Sequence, residues 1–238
     1  MNVALPSSAF YARAPLYLAG LLALAVLGFY QSYFARLLSA NVVHHLHGIT
    51  ATAWLALLCG QAWLYRTRRL DWHRLLGRWS LLLVPVFLLS GVLVLRRMLN
   101  ATDGFSQAFG MRLSFTDASS LVYFALAFAL ALHFRRRLQL HARFMVSTGL
   151  LVLPPALARV AGQFVPGIQS FPAAFHAGYT ATELLVLGLI VHDLRQGGWR
   201  WPYPLLLAVL LVQQASFHLV PDWPAWAACM RSLAAAGG

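Results

Sequence analysis

The chain has 238 residues, 60% of them hydrophobic and only 10% charged, whereas soluble domains carry roughly a quarter charged residues. Its mean hydropathy of +0.68 excludes an ordinary water-soluble domain. The formal charge of +12 comes from arginine without a single lysine. These arginines form short runs between apolar stretches, a pattern of membrane topology that argues against a nucleic-acid partner.

A helix needs about 20 residues to cross the hydrocarbon core, and seven windows qualify: 16–35, 42–65, 75–96, 117–134, 142–165, 172–192 and 203–221. The expected fold is therefore an all-α integral membrane protein, residues 1–238 forming one bundle of about seven transmembrane helices. The first window runs longer than a signal-peptide core, and no convincing cleavage site follows, so it reads as a helix. The fourth is expected to open at Thr116-Asp117, a cap followed by an acid in the first turn. That leaves 97–116 as the longest loop and the candidate for a folded element outside the membrane. In the fifth, Pro154-Pro155 should kink the helix, because proline removes a backbone donor.

Threading these helices alternately places Arg13, Arg66, Arg68, Arg69, Arg74, Arg78, Arg135, Arg136, Arg137, Arg143, Arg195 and Arg200 toward one side. Arg36, Arg96, Arg97, Arg112, Arg159 and Arg231 fall toward the other. The excess of positive charge marks the first side as cytoplasmic. This predicts a bacterial inner (cytoplasmic) membrane protein with a cytoplasmic N-terminus and an extracytoplasmic C-terminus.

Nine histidines are the chemistry-bearing feature, since polar groups at membrane depth face the bundle interior and often mark function. His73, His133, His141 and His192 fall at cytoplasmic helix ends; His44, His45, His47, His176 and His218 fall on the opposite side. In the second window His44 and His47 share a helical face with Ala51, Trp54 and Gln61, and Gly48 permits close approach. In the sixth, His176, Thr180 and Glu183 form a polar stripe. His44 or His47 can therefore meet His176 at matching depth. His73, in Asp71-Trp72-His73-Arg74, and His141, in His141-Ala142-Arg143, offer a second meeting at the cytoplasmic end.

Three chemistries fit such histidines. Imidazoles from two helices can ligate haem b, giving an electron carrier. Alternatively, His44, His45, His47 and His176 with Glu183 can hold an iron, copper or zinc ion. The bland reading is hydrogen bonding between helices. Asp117, Arg159 and Glu183 form a further candidate set, because charge within a span is costly unless paired. Antiparallel packing can pair Arg159 with Glu183, and Gln163, Gln213, Gln214 and Ser216 add polarity suited to a small internal cavity.

The ordered segments HHLHG (44–48), Gln61, HRLLG (73–77), Asp117, HARFM (141–145) and LPPALAR (153–159) resemble a group of uncharacterised bacterial multi-pass membrane proteins carrying HHxHG, HRxxG and HxRxM motifs. The chain also looks loosely similar to small membrane cytochromes b, in which histidines at opposite ends of a helix bundle bind haem. That likeness implies axial roles for His47, His176, His73 and His141.

The leading expectation is a membrane protein that binds haem b, or failing that a metal ion, and serves electron transfer with a quinone or another redox partner in the lipid. The alternative is a cofactor-free enzyme or a small-molecule or lipid-binding protein using Glu183, Asp117 and Arg159. A retinal protein is excluded, since without lysine no Schiff base can form. The histidines also lack the one-sided clustered boxes of membrane desaturases. Cys59 and Cys229 give neither a disulfide framework nor a thiolate metal motif.

Overall fold

A computed structural model describes residues 12–236. Among them the elements are helical throughout: α1 (Ala14–Phe29), α2 (Val42–Arg66), α3 (Leu70–Leu99), α4 (Gly104–His133), α5 (Leu138–Leu150), α6 (Leu153–Phe164), α7 (Phe171–Arg195), α8 (Pro202–Leu219) and α9 (Pro224–Ala235). Six stretches are long and apolar enough to cross a membrane: α2, α3, α4, α5 with α6, α7, and α8 with its terminal turn. Large apolar side chains such as Leu82, Val122 and Leu184 face outward, the mark of a bundle solvated by lipid.

Two of the sequence expectations change. The first window yields only 16 residues of α-helix in α1, about 24 Å against a core of about 30 Å. It is thus a shorter apolar helix beside six full spans. The fourth span does not open at Thr116-Asp117. It opens at Gly104, where the Asp103 side chain caps the helix by accepting from the Ser106 amide at 3.0 Å. That hydrogen bonding also holds the exposed Asp103 carboxyl below its usual range. The supposed loop 97–116 is therefore mostly helix. Polar groups had lowered its hydropathy, and tertiary partners satisfy them: Arg112 donates to the Phe217 carbonyl at 3.0 Å, and Trp226 donates to Ser114 at 2.8 Å. The kink in the fifth span is present, as α5 ends at Leu150 and α6 restarts at Leu153 just before the two prolines.

Packing order determines what can meet. Helices α2, α3, α4 and α5 form a closed ring in which each packs on the next and α5 returns to α2. Beside it, α6 is held between α1 and α7, and α8 bridges α7 to α4 and α5. Small residues permit this approach. A Cβ on Gly178 would stand 2.5 Å from the Pro154 carbonyl oxygen, and one on Gly28 would stand 2.7 Å from that of Ala156.

At the arginine-rich end, Arg143 of α5 forms a two-pronged bond to Asp193 of α7, Nε to Oδ2 at 2.6 Å and NH2 to Oδ1 at 2.5 Å. Only 5% and 3% of the two side chains is exposed. Arg200, in the turn before α8, stands 3.8 Å from the same carboxylate and bonds Gln139 of α5. One carboxylate thus ties α5, α7 and the start of α8.

Removing one member of such a pair strands a buried charge, at a cost of about 3–5 kcal/mol. Asp193→Ala and Arg143→Ala are therefore expected to unfold at markedly lower temperature in detergent. The double substitution Arg143→Met with Asp193→Leu should recover much of that loss, as followed by thermal melting of the purified variants.

Candidate functional site

Histidines 73 and 141 sit in the first turns of α3 and α5, at the arginine-rich end of the four-helix ring. Helices α3 and α5 stand across that ring from one another, each flanked by α2 and α4. The two imidazoles lie within electrostatic reach of each other. His73 Nδ1 faces the Gln61 carbonyl of α2 at 3.2 Å, and His141 Nδ1 faces the Ala131 carbonyl of α4 at 2.8 Å. A carbonyl only accepts, so each ring donates through Nδ1–H and keeps a bare lone pair on Nε2. This is the tautomer that an axial or metal ligand requires.

The surroundings of this pair hold unspent polarity. Gln61 Oε1 and Tyr65 Oη, both on α2, are buried with no hydrogen-bond partner, an uncommon and costly condition. The Tyr65 ring lies 6.0 Å from that of His73. One turn along α3 from His73, Gly77 leaves room, since an added Cβ would meet only Gln61 Nε2 at 3.5 Å. Deeper in the ring the space is filled. Trp54 packs on Phe124 and Phe128 and donates to Thr148 at 3.1 Å.

The remaining histidines find other partners. His44 Nδ1 accepts from the Asn41 amide at 2.7 Å, beside the cap of α2. Tyr33 takes His45 at 3.3 Å, and His47 bonds Ser90 of α3 at 3.1 Å while stacking on Phe87. His176 instead meets His218 of α8, Nε2 to Nε2 at 2.9 Å. The expected meeting of His44 or His47 with His176 is thus replaced by separate local pairs, because α2 packs on α1, α3 and α5 whereas α7 packs on α6 and α8. Among the described residues, no three or more histidine, cysteine, aspartate or glutamate side chains gather closely enough to hold a metal ion.

The acidic set is also rearranged. Arg159 does not pair with Glu183. It donates to the Pro155 carbonyl at 2.9 Å, lies over the Phe29 ring at 4.4 Å, and has Asp117 of α4 as its nearby charge. Glu183 is answered by Gln214 of α8. With its amide oxygen turned toward Thr180, Gln214 donates to both Glu183 oxygens at 3.2 and 3.3 Å. Tyr179 donates to Gln213 at 3.3 Å, and Gln213 in turn donates to Ser119, Ser120 and the Thr116 carbonyl of α4.

Two polar contacts are set by packing, that of Asp193 and that of His218. Asp193 carries a signal in the sequence: an acid in the last turn of α7 opposes the helix dipole and so calls for a cation. His218 lies in the last turn of α8, and only packing shows its partner.

No family model, curated protein or solved structure matches the chain.

Gln61 supplies a test of the orphaned polarity. Replacing a buried unsatisfied amide by an apolar side chain of similar length removes a penalty of about 1–3 kcal/mol. Gln61→Leu should therefore melt at a higher temperature than the parent when both are purified free of added cofactor; a lower melting temperature would show that the amide already has a stabilising partner.

Proposed function

We propose that this chain is a membrane electron carrier that binds haem b, which His73 of α3 and His141 of α5 would hold. The observation that carries the reading is the pair of imidazoles fixed by carbonyls on opposite sides of a four-helix ring, each with Nε2 left bare. Facing helices of a bundle are where such cofactors are held. The donor set favours haem over an ion alone: the ring supplies two imidazoles, which would suffice to hold a haem iron, while a protein-held zinc takes three or four ligands.

When bound, the haem supplies a one-electron iron couple. The chain's own residues perform the rest. The Gln61 and Ala131 carbonyls hold each ring in one tautomer and one orientation. The unspent Gln61 Oε1 and Tyr65 Oη give the pocket hydrogen-bonding capacity at its edge. Arg66, Arg68, Arg69 and Arg74, with Arg135, Arg136 and Arg137, concentrate positive charge at this end, which suits the carboxylates of a haem propionate. The same arginine excess supports placing this end in the bacterial cytoplasm, and counting the short α1 as a seventh crossing puts the N-terminus on that side and the C-terminus across the membrane.

Protein expressed with ample haem precursor should show a Soret band and a reduced-minus-oxidised difference spectrum. His73→Ala and His141→Ala should each abolish the low-spin signal while eluting as monodisperse protein, and His47→Ala and His176→Ala should keep it. A colourless parent protein sinks the haem reading, as does a spectrum that survives both His73→Ala and His141→Ala.

A further inference from the structure

At the end of the bundle opposite His73 and His141, α3 finishes with Arg96, Arg97 and Asn100. These three line a cavity of about 710 Å³ together with Leu93, Val43 of α2 and the turn 101–103 that leads into α4. Cations suit the last turn of a helix because its final carbonyls lack helical partners. Here Asn100 supplies the partner instead, its amide donating to the Arg96 carbonyl at 3.0 Å and to the Ala234 carbonyl of α9 at 3.2 Å. The two guanidinium groups are left over. Arg96 Nε is buried with no hydrogen-bond partner, a costly condition for a charged donor. Neither arginine joins the ion pairs of the described residues, which are Arg74–Asp71, Arg143–Asp193 and Arg200–Asp193. Asp103, the acid on the cavity wall, accepts instead from the Ser106 amide at 3.0 Å. The wall therefore carries two positive charges against one negative.

Toward the membrane, α3 leads away from this cavity as an apolar ridge. Leu82, Val86 and Leu89 are 62%, 42% and 58% exposed, and spacings of three and four residues put them on one face with Leu93 and Arg97. From Leu82 to Leu93 the ridge is about 16 Å long, half of a hydrocarbon core of about 30 Å and hence the depth of one leaflet. A ligand that fits joins an acyl chain, laid along the ridge, to an anion with several acceptor oxygens at its head. Guanidinium hydrogens match phosphate oxygens two at a time. The cavity also falls within the range of about 300–1,000 Å³ that holds small-molecule ligands, more room than a bare phosphate ion fills. We infer that this cavity binds the phosphodiester head of an anionic phospholipid, with an acyl chain on the α3 ridge. Arg96, half-buried, meets the phosphate from within, and Arg97, exposed, meets it from the rim. The bound head group joins α2, the end of α3 and the turn into α4 at one point. This site is remote from His73 and His141 and does not depend on haem.

The test titrates the purified full-length protein in neutral detergent with dioleoylphosphatidylglycerol and, in parallel, dioleoylphosphatidylcholine, with bound lipid counted by native mass spectrometry. The parent should bind one phosphatidylglycerol about tenfold more tightly than phosphatidylcholine, and excess inorganic phosphate should not displace it. Arg96→Gln and Arg97→Gln should each weaken phosphatidylglycerol binding about tenfold, the loss of one charge-assisted contact. Arg97→Lys, which keeps the charge but loses the planar fork, should fall between. Arg36→Gln removes the same charge from an exposed position at the same end but outside the cavity, and should bind as the parent does. Gel filtration checks that each variant is folded, and the lipid comparison and the phosphate competition need only the parent. Equal affinity for the two lipids, unchanged affinity in both glutamine variants, or an equal loss in Arg36→Gln would overturn the proposal. Displacement by inorganic phosphate would overturn it too, by assigning the cavity to a soluble anion.

Discussion

The buried pair of Arg143 and Asp193 is the interaction on which the arrangement rests. Lipid cannot solvate a guanidinium or a carboxylate, so each must find the other inside the bundle, and the two-pronged geometry leaves little freedom in how α5 and α7 approach. With Arg200 joining the same carboxylate, the start of α8 is drawn to that point as well. The ring α2–α5 is thereby clamped to the outer helices at the arginine-rich end, next to the turn of α5 that presents His141.

Polar side chains elsewhere follow the same constraint by different means. Serines and threonines return their hydroxyls to carbonyls one turn back, as Thr50, Ser80, Ser114 and Thr148 do. Gln213 and Gln214 on α8 answer α4 and α7 respectively. Against this background of satisfied groups, the exceptions stand out physically. Among these, Gln61 Oε1 and Tyr65 Oη lack partners beside His73. These two groups give the helix ring hydrogen-bonding capacity next to His73.

Much of the organisation was legible in the sequence because it depends on length, polarity and charge along one dimension. The alternation of apolar spans and arginine runs assigned His73 and His141 to the same end, and the tandem prolines announced the break between α5 and α6. The start of α4 was not legible, since the polar residues Arg112 and Ser114 lower local hydropathy while being satisfied by α8 and α9. The partners of the histidines were not legible either. Periodicity gives a residue's face on its own helix but not the order in which helices surround one another, so His176 was expected to meet His47 and meets His218 instead.

What the sequence determined by itself is the class of protein, the number of long spans to within one, and the division of histidines and arginines between two ends, because the hydrocarbon thickness and the cost of charge in lipid act on each segment separately. What the tertiary structure decided is which side chains converge: His73 with His141 across a ring, Arg143 with Asp193, and Glu183 with Gln214 in place of Arg159. Those meetings depend on the rotation and neighbour order of helices, set by close contacts such as Gly28 and Gly178 against α6, and rotation and neighbour order arise only when all the helices pack at once.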